Sequence, residues 1–239
     1  MNQGYFITGT DTNVGKTWAT IALMRYFKKQ GKLVVGMKPV AAGCVLVSRD
    51  NGEASSSGFI DPDNSSDLSW CNDDALLIQA NVSVHVPYDL INPYAYEQPV
   101  SPHIAGINNP VEFGKIIECY HALKESADIV IVEGAGGWCA PLNAQQDISD
   151  LAKALDLPVI LVVGVKLGCI NHSKLTYQAI QQSGLSCAGW IAVCVDDDML
   201  NEDENIQAIK AAISAPLLGV LPHLPTADFD LLAEQIEII

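Results

Sequence analysis

The sequence predicts a doubly wound α/β fold built on a mostly parallel sheet, and three observations carry that prediction. Apolar runs such as IVIV (129–132) and VILVV (159–163) lack the in–out alternation of a half-exposed strand and suit strands covered on both faces. Segments with helical spacing fall between such runs, as parallel crossovers require. Several runs end in Gly-bearing turns, where open parallel sheets bind ligands.

Residues 5–8 read as the first strand, closed by Gly9. After Gly15, the residues Ala19, Ala22, Leu23, Tyr26 and Phe27 recur at helical spacing until Gly31. A second strand is expected over 33–37, with Lys38 at its carboxyl end and Pro39 blocking its continuation. Residues 44–72 are rich in Ser, Asp, Asn and Gly and are expected to form a long polar loop, partly disordered. A short helix follows over 74–80. INPYAYEQPVSPHIAG should be irregular but ordered around its aromatic residues, and 110–125 should be helical. Strands are then expected over 129–132, 159–163, 188–195 and 217–221, with helices near 148–155, 171–183 and 205–213. No internal repeat is visible, and 239 residues suit one large domain.

The formal net charge of −15, without a Lys/Arg cluster, argues against a nucleic-acid partner. No apolar run reaches the roughly 18–20 residues of a membrane span, and the start MNQGYFITGTD lacks a secretory leader, so a cytoplasmic protein is expected. Seven scattered cysteines, odd in number and without a C-x-x-C pair, read as reduced thiols rather than a disulfide or metal framework.

The stretch ITGTDTNVGKT resembles a phosphate-binding loop, G-x-x-x-x-G-K-[ST], with one residue too many: five residues separate Gly9 from Gly15. A strand, a Gly turn and a helix opening on Gly-Lys-Thr are the context such a loop requires, because free N–H groups and the helix dipole favour phosphate. Lys16 would neutralise phosphate charge and Thr17 would ligate Mg²⁺. Glu133 closes IVIVEGAGG, where an acid could reach a metal or its water, and Gly134, Gly136 and Gly137 would let a ligand approach the backbone. A solvated carboxylate above a flexible turn is the plainer alternative. Lys38 could aim a fixed cation at the phosphates or sit in solvent, and Asp74 could serve the site or cap its helix; the residues alone leave both readings standing. VKLGCINHS offers a second helix N-terminus from Gly168 to His172, although Asn171 as an ordinary cap and His172 as an ordinary surface or core histidine are the plainer readings. Asp196, Asp197 and Asp198 lack a Ca²⁺-loop pattern and read as a solvated loop. Trp138, Trp190 and Tyr94 read as packing residues.

GTDTNVGKT, KPVAAG, NDDAL, NPYAYEQPVSPHIA, VEGAGGW, PVILVVGVKLGCINH, AGWIA and PLLGVLP, in this order and spacing, resemble the dethiobiotin synthetase family. The extra loop residue is itself a mark of that family. The resemblance implies a P-loop NTPase fold and an ATP- and Mg²⁺-dependent ligase acting on 7,8-diaminononanoate and CO₂, with Lys16 and Lys38 flanking the reacting groups. It implies Mg²⁺ held by Thr17, Asp74 and Glu133. The nucleotide would lie along Asn13, Val14, Gly15, Lys16, Thr17, Trp18, Asp74, Glu133, Gly134, Ala135 and Gly136. Its base end would meet Val193, Cys194, Pro222, His223 and Leu224. The diamine would meet Thr12, Lys38 and Ala42, and its carboxylate the segment Gly168, Cys169, Ile170 and Asn171 of a neighbouring subunit, so a homodimer is implied. Three positions depart from the family pattern: Asn13 stands where Glu is frequent, Ala42 where a Ser contacts the diamine, and Val193 where an Asn reads adenine. A partitioning or switch ATPase is the rival class. It would carry an early loop lysine, where this chain has T-G-T-D-T, and a GTPase would carry N-K-x-D, which is missing.

Overall fold

The computed structural model describes residues 4–50, 53–54, 68–197 and 199–238. Strand β1 (Gly4–Gly9) is buried almost throughout, and Gly15 at φ 84° turns the chain into α1 (Lys16–Lys29). Lys28 and Lys29 complement the dipole in the last turn of α1. The fully buried β2 (Val34–Met37) is followed by β3 (Val40–Ala42), β4 (Val45–Asp50), β5 (Glu53–Ala54) and β6 (Leu68–Cys71). Asn72 caps α2 (Asp73–Gln79), its side chain accepting from Ala75 N–H. Single-turn α3 (Tyr88–Ile91), short β7 (Tyr94–Tyr96) and single-turn α4 (Pro102–Ala105) lead to α5 (Phe113–Ser126) and β8 (Ile129–Gly137). A capping box between Asp147 and Asp150 opens α6 (Ile148–Leu155). Then come β9 (Val159–Val165), α7 (Cys169–Gln182), β10 (Cys187–Cys194), α8 (Glu202–Ala212), β11 (Leu217–Leu221) and α9 (Phe229–Glu234).

Six strands form one parallel sheet in the order β11-β10-β9-β1-β8-β2. Strand β1 lies inside it, between β8 and β9, so the chain order reverses beside the loop that follows β1. Ligand-binding crevices form at such reversals. The register brings the chemistry together: Met37 pairs with Val132 and Ile7 with Glu133. Lys38 and Glu133, each one residue further, therefore emerge side by side at the carboxyl edge. Trp190, Phe6, Ile7 and Val132 are fully buried in the core below, and Trp138 and Tyr94 are buried too.

Four expectations change. Strand β8 does not end before Glu133 but continues to Gly137, because Gly9 pairs with Gly137 and extends the ladder; hydrogen-bond ladders tolerate a polar side chain that the apolar pattern rejects. The segment 44–72 is not loop throughout: β4 and β6 pair antiparallel from Val45↔Cys71 to Ser48↔Leu68. The order of residues 55–67 lies outside the described residues. Asn171 is no cap, since α7 starts earlier on Gly168. The sequence reading missed α9, which packs on α1 through an edge contact of Trp18 with Phe229 at 6.0 Å between ring centroids.

Candidate active site

The loop after β1 is pinned from below. Val14 is fully buried, and a Cβ on Gly9 would lie 2.7 Å from its Cγ2. Gly164 of β9 accepts Val14 only because it lacks a side chain, its own Cβ position being 3.0 Å from Val14 Cβ. Gly15 is held to glycine twice, by its positive φ and by Val193 Cγ1 at 2.6 Å from the Cβ position. Asn13 has φ 57°, a left-handed conformation that asparagine tolerates better than most residues with side chains.

Charge collects above the loop. Lys16 is 7% exposed and donates to the Asp11 carbonyl at 2.8 Å, while the Asp11 carboxylate pairs with Lys166 at 3.2 Å. Burial pulls the Lys16 pKa down, Lys38 adds to the fall, Glu133 and Asp11 oppose it, and the outcome is about 8. Lys38 is equally buried and lies 2.6 Å from Glu133 Oε1 and 3.0 Å from Asp74 Oδ2. Burial alone would lower its pKa, but the two carboxylates outweigh burial and raise it, so Lys38 is an ammonium. Glu133 is 0% exposed. Its Oε1 accepts from Lys38 and also from Thr17 Oγ1 at 2.9 Å. Its Oε2 is buried and has no partner among the described residues. A hydrogen-bond relay steadies the main chain of Lys38: Asn72 N–H donates to Tyr88 Oη, Tyr88 O–H to Asn92 Oδ1, and Asn92 Nδ2 to the Lys38 carbonyl at 2.7 Å.

These groups line a cleft of about 790 Å³. Of the residues expected from the sequence, it brings together Thr12, Asn13, Gly15, Lys16, Thr17, Trp18, Lys38, Ala42, Asp74, Glu133, Ala135 and Gly136. Val14 lies beneath the loop, and Gly134 faces Phe6 and Ile148. The sequence reading missed Asn72, Ala140 and residues 99–102, which also line the cleft. The prolines of QPVSPH were a signal, since they fix an ordered turn that ordinary linkers do not need.

Two other expected groups stand apart from the cleft lining. Val193 and Cys194 end β10 behind Gly15, and Pro222, His223 and Leu224 follow β11; the His223 ring pairs with the Asp197 carboxylate. Gly168, at φ 94°, opens α7 without any side-chain cap bond. Cys169 is buried there, Ile170 is half-buried, and Asn171 and Leu167 are exposed. Among the described residues no group of three His, Cys, Asp or Glu gathers for a metal. None of the seven cysteines forms a disulfide. Burial pushes the Cys44 and Cys187 thiols up to about 11 and Cys194 to about 12, well above nucleophilic range. No helix is long and apolar enough to cross a membrane among the described residues.

A family model described as an AAA domain matches residues 3–229. The chain is 43% identical over 228 residues to the ATP-dependent dethiobiotin synthetase BioD of Aromatoleum aromaticum, covering 95% of this chain and 93% of that one. It is 44% identical over 225 residues to the BioD of Nitrosospira multiformis, covering 93% and 89%. Among solved structures it resembles the MinD cell division protein of Aquifex aeolicus, with TM-score 0.54, 17% identity and coverage of 98% and 88%. It also resembles the signal recognition particle receptor FtsY of Elizabethkingia anophelis in complex with GDP, with TM-score 0.54, 14% identity and coverage of 98% and 63%. At such identities these likenesses show the fold alone, that of P-loop NTPases.

Proposed function

This chain belongs to the family of ATP-dependent dethiobiotin synthetases, and from that membership we propose how its residues carry the reaction. The supporting observation is the buried set Lys38, Glu133 and Thr17 beside Lys16, at the mouth of a loop built for phosphate. One amine of 7,8-diaminononanoate takes up CO₂ and loses a proton to give a carbamate. A carbamate oxygen attacks the γ-phosphorus of ATP, ADP leaves, and a carbamic–phosphoric anhydride forms. The second amine attacks the anhydride carbonyl, the ring closes to a cyclic urea, and phosphate leaves.

The nucleophile is made from CO₂, so no Ser, Cys or His nucleophile is needed. The protein's task is to hold two anions together. Lys16 leaves the Asp11 carbonyl to bind the β- and γ-phosphates, and the N–H groups from Asn13 to Trp18 cradle them. Lys38 binds between phosphate and carbamate, and Thr12 and Ala42 border the diamine. Ala42 offers methyl contact only, so the amine is oriented by neighbouring main chain. Val193 likewise presents methyl groups, which leaves base recognition to main-chain groups of β10 and residues 222–224. Glu133 Oε2, the Thr17 hydroxyl and Asp74 form a hard oxygen set that fits Mg²⁺ completed by phosphate and water. When bound, Mg²⁺ would supply charge neutralisation across the triphosphate.

The substrate carboxylate suits the uncapped N-terminus of α7 with Asn171 as donor. That end does not line this chain's own cleft, which supports a homodimer whose second copy supplies it. The test is dethiobiotin formation from diamine, bicarbonate and Mg–ATP, with ATP hydrolysis followed in parallel. Hydrolysis should require both the diamine and bicarbonate. Hydrolysis indifferent to the diamine would return the chain to the partitioning or switch ATPases that share its fold.

A further inference from the structure

One ammonium serves two carboxylates in this cleft, and the arrangement is lopsided. Glu133 Oε1 receives both Lys38 Nζ and Thr17 Oγ1, while its buried Oε2 has no partner among the described residues. Asp74 contributes one oxygen to the same ammonium and leaves its side chain 45% exposed on the cleft side. A divalent cation ligated by Oε2 and Asp74 would sit within a carboxylate's width of Nζ, where the two positive charges repel. Lys38 cannot simply be left bare, because a buried charge needs a partner. It can turn, because its side chain lines the cleft beside Val40 and Ala42.

We propose that Lys38 and a divalent cation are alternative occupants of the Glu133–Asp74 pair: Lys38 holds the carboxylates until the cation displaces its ammonium into the cleft. This rests on the metal duties proposed above for Thr17, Asp74 and Glu133. Once the metal has entered, the displaced Lys38 ammonium is available to an anion in the cleft. The exchange also keeps affinity for metal alone low, since every ion must first evict a resident charge.

The test titrates Mn²⁺ alone against the protein and reads free Mn²⁺ by electron paramagnetic resonance, without nucleotide or diamine. Lys38→Met should bind Mn²⁺ at least about tenfold more tightly than the unaltered protein, because the competing ammonium is gone. Equal or weaker binding overturns the exchange. Adding Glu133→Gln to Lys38→Met should abolish that tightened site; if the double variant binds Mn²⁺ as tightly as Lys38→Met alone, the metal lies elsewhere and the proposal falls with the ligand assignment. Lys38→Met leaves a buried carboxylate unpaired, so a second measurement uses the unaltered chain with ¹⁵N-labelled lysine. Mg²⁺ or Mg–ADP should shift the Lys38 ammonium resonance and remove its protection from solvent exchange. A resonance unchanged by both overturns the proposal. Dethiobiotin formation is a separate readout, so its failure and the failure of the exchange are told apart.

Discussion

Helices α1 and α7 begin in the same way and end up in opposite circumstances. Each follows a buried parallel strand, each is entered through a left-handed glycine, and neither has a side-chain cap. At α1 the first residues are Lys16 and Thr17, both buried, with Glu133 against Thr17. At α7 Asn171 is exposed, and Gly168 has open space, its nearest neighbour being His172 Cε1 at 3.8 Å from the Cβ position. Free N–H groups at a helix start favour an anion at either place. Only α1 adds fixed charges of both signs, which reacting phosphate needs and a passive carboxylate does not. Under the proposed function, the difference separates a reaction centre from a receptor, with the backbone device held constant.

The largest way to break the comparison is Lys16→Gln, which turns α1 into a neutral terminus like α7. Turnover should fall at least about a thousandfold, with an unchanged circular dichroism spectrum. Near-normal turnover would show that the loop backbone alone suffices.

Next come the two glycines. Gly15→Ala combines left-handed strain with a clash against Val193 and should cost about 3 kcal/mol or more in denaturant unfolding. Gly168→Ala meets open space and should cost only about 1–2 kcal/mol, the strain alone. Equal losses would mean the packing beneath the phosphate loop is slack.

A smaller effect is expected from Asn171→Ala: KM for the diamine rises about tenfold or more at near-constant kcat, the loss of one hydrogen bond to a carboxylate. An unchanged KM would remove α7 from the substrate site.

The mildest probe is pH. As pH rises through about 8, Lys16 loses its proton and kcat/KM for ATP should fall, because that parameter reports the free enzyme. Stability moves the other way. The folded pKa lies below the unfolded 10.5, so the penalty for burying the charge is complete below about 8 and is relieved between 8 and 10.5. The melting temperature of Lys16→Met should lack that rise relative to the unaltered protein.

Much of the sheet was legible in the sequence because strands covered on both faces must be apolar throughout. The expected runs 159–163 and 217–221 fall within β9 and coincide with β11. The helix expected near 148–155 coincides with α6. What stayed hidden depends on pairing rather than on pattern. The continuation of β8 past Glu133 is a property of its partner β1, and RDNGEASSS conceals that its flanks form a ladder. The contact of Lys38 with Glu133 spans 95 positions. Neither residue announces it, so local reading left Lys38 and Asp74 undecided until the family resemblance was weighed. Asp74 looked like a cap, but Asn72 does that work, and Asp74 is released to face Lys38. Val14 was expected along the nucleotide, yet it lies fully buried beneath the loop against Gly164.

The ladder of β4 and β6 rises from the cleft's rim and is tied at both feet. Cys44 N–H donates to the Tyr96 carbonyl at 2.9 Å, and Asn72 N–H donates to Tyr88. Whatever number of residues separates those feet, the closure entropy grows only by about 0.6 kcal/mol per doubling of length. Lys38 and Asp74 are positioned on the near side of the ties. The chain can therefore lengthen, shorten or acquire a new appendage beyond Val45↔Cys71 without Lys38 and Asp74 registering it. Such a place lets descendants of this enzyme vary one segment freely while the chemistry is inherited intact.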